Sequence, residues 1–464
     1  MKLHHAYRVC FAVLASLALC GPAWSQDNGG GNGDDSPFGQ PIAGVEIDAS
    51  GVLRTKRFDA RIAQQRLLAA RQAQGAEAMA ASPLRKVSLT RLEQAVAEAI
   101  ERGESASDEM LSLAGLTRLQ YVFFYPETRD VVIAGPAEGV FRDPTGRFLG
   151  MESGQPVLQL EDLVTALRAY GPAAPPTRVI SVSIDPTQEG LARMQRYLAS
   201  VRGRVRPGDE RVLTASLKQN LGLQTVTLTG VPHNTNFARV LVEADYRMKL
   251  IGIGLERLPI RMLSYVERST AAQGSGNAME RWYFVPNYEG VSVSKDGLAM
   301  TLNDRGVKLV GASERVDGSG QRAEGGRMNR ASAAFCNDFT KHYAEIAQRV
   351  PVYAELRNLI DAAIAAAYIQ QQDFYGQAEW SLATFGNEAR FPVQSHSAPQ
   401  QVETAVNAVW KGTTLLTPLG GGINLQPRQA LRSDRLTSET AGQSDAVKQL
   451  AAPDDLAAGQ WWWD

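Results

Sequence analysis

Two carboxylates, Asp185 and Glu189, flank the junction where an apolar strand pattern gives way to a helix. An acid pair at the carboxyl end of a strand is where α/β folds often place general acid and base groups. A local reading competes with that one. Asp185-Pro186-Thr187-Gln188 is a helix start, with Asp185 as the capping side chain, Pro at the first helical position and Gln at the third. The cap accounts for Asp185 without any chemistry and is the favoured reading. His233 lies in the turn between a strand over Gln224–Thr229 and the next helix. A base there would be exposed near a helix N-terminus, which attracts anions. Nothing nearby in the sequence orients it, which favours a solvated loop histidine. Asp185, Glu189 and His233 are the catalytic candidates the chain offers, and each has a plainer explanation.

Other chemistries fail on spacing. His342 follows Cys336 by six residues, off the same helical face, so Cys336 reads as a small buried hydrophobe. Ser292-Val293-Ser294-Lys295 matches a serine-lysine motif and Ser275-Gly276-Asn277 its companion, but in the wrong order and in strand context. Gly252-Ile253-Gly254 opens like a dinucleotide loop, yet Arg257 stands where the third glycine belongs. Gly420-Gly421-Gly422 reads as a bulge or a close backbone approach. His342 and His396 are isolated, and no His/Cys/Asp/Glu set has metal-ligand spacing, so neither metal nor cofactor is expected. Trp461-Trp462-Trp463 has two open readings, a segment that docks into a partner or membrane interface, or a frayed tail.

The elements that must position these residues centre on Leu223–Glu256. Threonine alternates with valine and leucine over Gln224–Thr229, as in a half-buried strand. Asn234 or Thr235 caps a helix whose stripe is Phe237, Val240, Leu241, Ala244 and Met248, while Arg239, Glu243 and Arg247 form a solvated face. Leu250–Leu255 leaves as a short buried strand. Upstream, Val45–Leu53 is a hairpin, Thr90–Arg102 a helix with a Thr90/Glu93 capping box, and 121–150 a run of hairpins. Downstream, short strands lie at 282–285, 291–294, 298–302 and 307–311, and the last three form an antiparallel β-meander. Ala333–Arg349 and the helix opened by Pro351 make an antiparallel pair, Val402–Trp410 is a short helix, and the chain beyond Pro427 is disordered. The fold class is α/β or α+β, a mixed sheet covered by helices, with the meander and a C-terminal helical pair. Expected boundaries are a signal peptide at 1–25, a linker at 26–41, an arm at 42–83, an α/β domain at 84–270, a β-meander and helical region at 271–424, and a tail at 425–464.

The chain has 464 residues, 44% of them hydrophobic, with 48 basic and 49 acidic side chains. A net charge of −1 gives no reason to expect nucleic acid, and no polybasic block suggests a membrane surface. Lys2 and Arg8 precede an apolar run at Phe11–Leu19, and Ala23-Trp24-Ser25 supplies small residues for cleavage before Gln26. That run is too short to span a bilayer in the mature chain. A lipid anchor at Cys20 is the lesser alternative, because Leu19 is not the small residue such a box wants. Cleavage leaves Cys336 alone, so no internal disulfide is expected.

The segments YVFFYPETRDVVIAGPAEG (121–139), SIDPTQEGLARMQ (183–195), TGVPHNTNFARVLVEADYRMKLIGIGLE (229–256), RWYFVPNYEG (281–290), VPVYAELRNLI (350–360) and QVETAVNAVWKG (401–412) carry a resemblance. Over about 85–425 the chain resembles a family of exported planctomycete proteins catalogued as domain of unknown function 1598. The resemblance implies a bacterial envelope or extracellular setting and transfers no activity, cofactor or catalytic residue. The expected function is a non-catalytic binding or structural component of the envelope, with another envelope protein or a second copy as partner. The alternative is an exported hydrolase whose acidic residues meet only in space.

Overall fold

In the computed structural model the described residues are 42–57, the scattered positions 65, 67–69 and 72, and 80–464 apart from short gaps. Those gaps are 144–145, 173–174, 176, 202–203, 271–277, 288–289, 304–305, 317–321, 327–329, 408, 412–413, 417–421, 438–442 and 454–455. The expected signal peptide, Cys20 and the linker lie outside the described residues, as does most of 58–79 in the expected arm.

The chain opens with β1 (Ile42–Ile47) and β2 (Val52–Arg57), turned by Asp48, whose carboxylate accepts from the amides of Ser50 at 2.9 Å and Val52 at 3.0 Å. β3 (Ser82–Ser88) runs directly into α1 (Leu89–Glu101), and the cap is Ser88 rather than Thr90. Two hairpins follow, β4 (Tyr121–Tyr125) with β5 (Asp130–Ala137), and β6 (Val140–Arg142) with β7 (Phe148–Gly150), then α2 (Leu160–Ala169). Next come β8 (Ile180–Pro186), α3 (Gln188–Val201), α4 (Glu210–Leu221), β9 (Gln224–Thr229) and α5 (Asn236–Gly252). The strands β10 (Ala278–Pro286), β11 (Val291–Val293), β12 (Ala299–Leu302), β13 (Val307–Val316) and β14 (Arg322–Gly326) lead to α6 (Arg330–Lys341), α7 (Tyr343–Arg349) and α8 (Pro351–Gln371). The remainder holds β15 (Gln401–Val402), β16 (Val409–Lys411), β17 (Thr414–Leu416), β18 (Gly422–Leu425), α9 (Gln443–Leu450) and β19 (Trp462–Trp463).

A mixed nine-stranded sheet has the order β1-β2-β15-β9-β8-β18-β10-β13-β14, and an antiparallel six-stranded sheet the order β11-β12-β4-β5-β3-β19. β15 runs parallel to β2 and β18 parallel to β10; the other pairs of the large sheet are antiparallel. This is an α+β architecture with a mixed sheet, as the sequence suggests. The three strands read as one meander are shared between sheets: β11 and β12 extend the small sheet, while β13 pairs with β10 in the large one. The large sheet also joins strands from both sides of residue 270, so the boundary expected there falls inside one sheet.

The core lies between the sheets and around α5 and α8. Every residue from Asn236 to Gly252 except Arg239 is buried, and so is every residue from Val352 to Ile369 except Arg357. The apolar faces of the expected helical pair, Phe335 and Phe339 on α6 and Leu356 and Ile360 on α8, are covered by the chain itself.

Three local expectations are corrected. Leu250–Leu255 is not a strand: α5 continues to Gly252 and stops in a Schellman turn, with Leu255 N bonded to Leu250 O at 2.8 Å and Gly254 N to Ile251 O at 3.1 Å. Gly254 takes the left-handed position at φ +77°, and a Cβ on Gly252 would lie 2.3 Å from the Trp282 ring. These glycines therefore serve a helix end and a close ring contact. Val402–Trp410 carries β15 and the start of β16 instead of a helix. The stretch beyond Pro427, expected to be disordered, forms α9 across the small sheet and β19 at its edge; Tyr125 donates to Lys448 O at 2.8 Å, and Ala451 is buried.

Candidate functional site

The face of α5 expected to be solvated is the most charged part of the interior. Glu243 is fully buried, and its carboxylate lies between two guanidiniums, Arg147 at 2.7 Å and Arg247 at 3.3 Å. Arg147 reaches in from the residue before β7 and donates through Nε to both oxygens of Glu355 on α8, at 2.9 Å each. Arg247 donates through Nη2 to Glu256, just past the Schellman turn, at 2.7 Å. The result is a chain of alternating charge, Glu256–Arg247–Glu243–Arg147–Glu355, tying α5, α8 and the β6–β7 hairpin together. Burial raises the Glu243 carboxyl, but the two guanidiniums outweigh it and hold the group below its ordinary range. Glu355 moves the other way: burial raises it, and the one guanidinium bonded to it is shared with Glu243. Arg147 is held above its usual value because the Glu243 and Glu355 carboxylates outweigh the effect of burial.

A second buried pair sits two residues further along α5. Lys249 Nζ lies 3.1 Å from Asp245 Oδ2 and donates to Ile184 O at 2.9 Å. Burial pushes the Asp245 carboxyl up to about 6 and the Lys249 ammonium down. Asp185 contributes to this neighbourhood. It lies within β8, 3.0 Å from Arg281, and does not cap α3; the capping side chain there is Thr187, which accepts from Gly190 N at 3.0 Å.

Asp185, Glu189 and His233 are not brought together. The β8–β9 register places Asp185 opposite Thr225, whereas His233 follows the far end of β9, with its Nε2 3.2 Å from Leu228 O. Glu189 is exposed on the first turn of α3. Cys336 is buried as expected, and burial pushes its thiol up to about 12. His396, read as isolated, lies 3.0 Å from Glu161. Trp461 is buried, and Trp462 and Trp463 pair with β3. Among the described residues no group of three or more His, Cys, Asp or Glu is placed to hold a metal ion, and no helix is long and apolar enough to cross a membrane.

A cleft of about 430 Å³ opens beside the charge network. Its wall includes Val96, Ile100, Leu111, Phe148 and Phe391, with Arg142, Glu161 and Arg390 among the charged groups. Arg142 stacks on Phe148 at 3.8 Å and pairs with Asp108 at 2.9 Å. Gln159 lines this cleft and also a hole of about 10 Å³ shared with Asp162, Glu355 and Asn358. That is about the space of one water. Asp162 Oδ2 accepts from Asn236 at 2.9 Å, while Asp162 Oδ1 and Asn358 Oδ1 have no hydrogen-bond partner among the described residues. Burial, followed by the neighbouring Glu161, drives the Asp162 carboxyl well above its ordinary value.

Sequence reasoning missed Glu243, Asp245, Arg147, Glu355 and Asp162. One signal was available for the first two: apolar residues occur on every side of α5, at Phe237, Val240, Leu241, Val242, Ala244, Tyr246 and Met248, as in a helix buried all round.

Residues 182–265, from β8 through α5 and its turn, match the family model described as a protein of unknown function, DUF1598. The matched stretch contains Asp185, Glu243, Asp245, Arg247, Lys249 and Glu256, but not Arg147, Asp162 or Glu355. No curated protein and no solved structure matches the chain.

Proposed function

We propose that this chain is a non-catalytic binding component of the bacterial cell envelope, exported by residues 1–25 and taking an amphipathic ligand in the cleft beside Phe148 and Arg390. The observation that carries the reading is how the buried ionisable groups are used. Arg147 and Arg247 hydrogen-bond Glu243, Glu355 and Glu256, and none of these carboxylates lines the cleft. The cleft has an apolar wall with charged groups around it, and its size is that of a small-molecule site. The amphipathic anion 1-anilinonaphthalene-8-sulfonate tests this directly. It should bind saturably, and Ala106→Trp, which fills the cleft, and Arg390→Glu should each weaken binding. Equal binding by all three proteins would remove the cleft from the account. Export has its own test: residues 1–25 fused to a reporter should carry it across the inner membrane.

A second reading has one observation in its favour. Asp162 is a buried acid with an unpartnered oxygen beside a water-sized hole, and Gln159 separates that hole from the cleft. A protonated carboxyl in such a place would suit the general acid of a hydrolase. Hydrolysis of a chromogenic glycoside or ester panel that is abolished in a folded Asp162→Asn variant would establish it in place of simple binding.

A further inference from the structure

Arg85 is fully buried, and its guanidinium is held by the body of the protein from two directions. Nη1 donates to Ala114 O at 2.9 Å and Nη2 to Ala80 O at 2.8 Å. The first of these carbonyls comes from strained backbone. Leu113 and Ala114 are buried, non-glycine residues in the left-handed region at φ 49° and 52°. Such strain is held only where the surroundings enforce it, and it clusters at recognition sites. The Nε and Nη2 edge of the guanidinium faces one carboxylate. Nε donates to Asp464 Oδ1 and Nη2 to Asp464 Oδ2, both at 2.8 Å, in the two-pronged geometry that distinguishes arginine from lysine.

The residues leading to Asp464 are bound as a peptide strand is bound. Trp462 pairs with Val87 and Trp463 with Lys86, antiparallel to β3, and Ser88 N donates to Trp461 O at 2.8 Å. The Arg85 guanidinium stacks over the Trp462 ring at 4.4 Å, and the Trp462 indole donates to Glu109. Main-chain bonds supply general affinity here, and side-chain contacts supply selectivity. The resident strand is only two residues long and lies at the edge of its sheet, with Trp462 and Trp463 half-buried. The groups that aim Arg85 belong to 80 and 114, outside that strand.

We infer that the β3 edge and Arg85 form a receptor for an extended peptide that presents aromatic side chains followed by a carboxylate, filled in this chain by its own Trp461–Asp464. The partner is thus a protein segment of that chemistry, which gains access by replacing the resident strand. This inference is independent of the cleft.

The test uses the full chain and a labelled, amidated peptide of sequence Gln-Trp-Trp-Trp-Asp. Tethering gives the resident strand a high effective concentration, so the unmodified protein should bind the peptide weakly. Asp464→Lys loosens the resident strand and should tighten peptide binding by about tenfold. Adding Arg85→Lys, which keeps the charge but loses the fork, should reverse that gain. A peptide ending in Asn should bind the Asp464→Lys protein about tenfold more weakly than one ending in Asp. This comparison uses one protein and does not depend on how Arg85→Lys folds. Failure of the Asp464→Lys protein to bind, or equal affinity for the Asp and Asn peptides, would overturn the proposal.

Discussion

Arg147 and Glu243 are 96 residues apart in sequence and meet at 2.7 Å, with side-chain exposures of 2% and 0%. One comes from a hairpin and the other from the middle of α5, so the contact fastens the hairpin to the helix at the centre of the core. A buried pair of this kind need not stabilise relative to an apolar replacement, but breaking it leaves a charge stranded. Glu243→Gln should therefore cost about 3–5 kcal/mol, because Arg147 and Arg247 both lose a counter-ion. Urea denaturation checks this; a loss below about 1 kcal/mol would place the pair in a far wetter setting than its exposure indicates.

Asp245 sets a pH dependence. Its folded value, about 6, lies above the ordinary 3.8, so the native state binds this proton more tightly than the unfolded chain does. The resulting stabilisation is fully present below about pH 4 and is lost as pH rises through about 6, a change of roughly 3 kcal/mol. Asp130, Asp296 and Asp464, all held low, work in the opposite sense. The clean observable is consequently the difference between the unmodified protein and Asp245→Asn. That difference should shrink in favour of the variant between pH 4 and 7, and a flat difference would contradict the assignment.

Gly252 and Gly254 should respond unequally to alanine. At Gly252 the new Cβ would meet the Trp282 ring at 2.3 Å, an overpacking that costs about 1–3 kcal/mol and shifts tryptophan emission. At Gly254 there is room, and the cost is that of a left-handed residue, about 1 kcal/mol. Thermal melts with fluorescence detection separate the two.

Glu93 links α1 to the loop around 380–385. Its carboxylate accepts from Thr384 N at 2.6 Å, Phe385 N at 2.7 Å and the Trp380 indole. Glu93→Ala leaves two buried amides without an acceptor and should loosen that loop. Limited proteolysis should then cut near 380–390 at least about tenfold faster, because each orphaned amide costs about 1–3 kcal/mol. Unchanged cleavage would show that the loop is held by packing alone.

What could be read from the sequence was local. Alternation over Gln224–Thr229, the Thr235 cap and the apolar stripe of α5 each express a rule that acts within one or two turns, and each appears in the structure. The failures share a cause. Arg239, Glu243 and Arg247 have the same spacing on a solvated face as in a buried network; the apolar residues on every side of α5 hint at burial, but the partner Arg147 lies far away in sequence. Thr90 and Glu93 matched a capping box, yet Glu93 serves a loop almost 300 residues later. Leu250–Leu255 is too short a run for periodicity to separate strand from helix end. The Trp461–Asp464 segment looked unattached because Arg85 lies 379 residues earlier. The links that join α5 to the hairpin and to α8, Arg147–Glu243 and Arg147–Glu355, are such distant pairs, whereas the pairs within α5 are four residues apart.

If the cleft is the binding site proposed above, the Arg147–Glu243–Glu355 charges hold the core together and take no part in what it binds. Replacing all three with apolar residues, as Arg147→Met, Glu243→Leu and Glu355→Leu, removes the charges without stranding one between them. The folded triple variant should bind 1-anilinonaphthalene-8-sulfonate within about threefold of the unmodified protein. A variant that melts cooperatively but no longer binds the probe would place the buried charges in the working site.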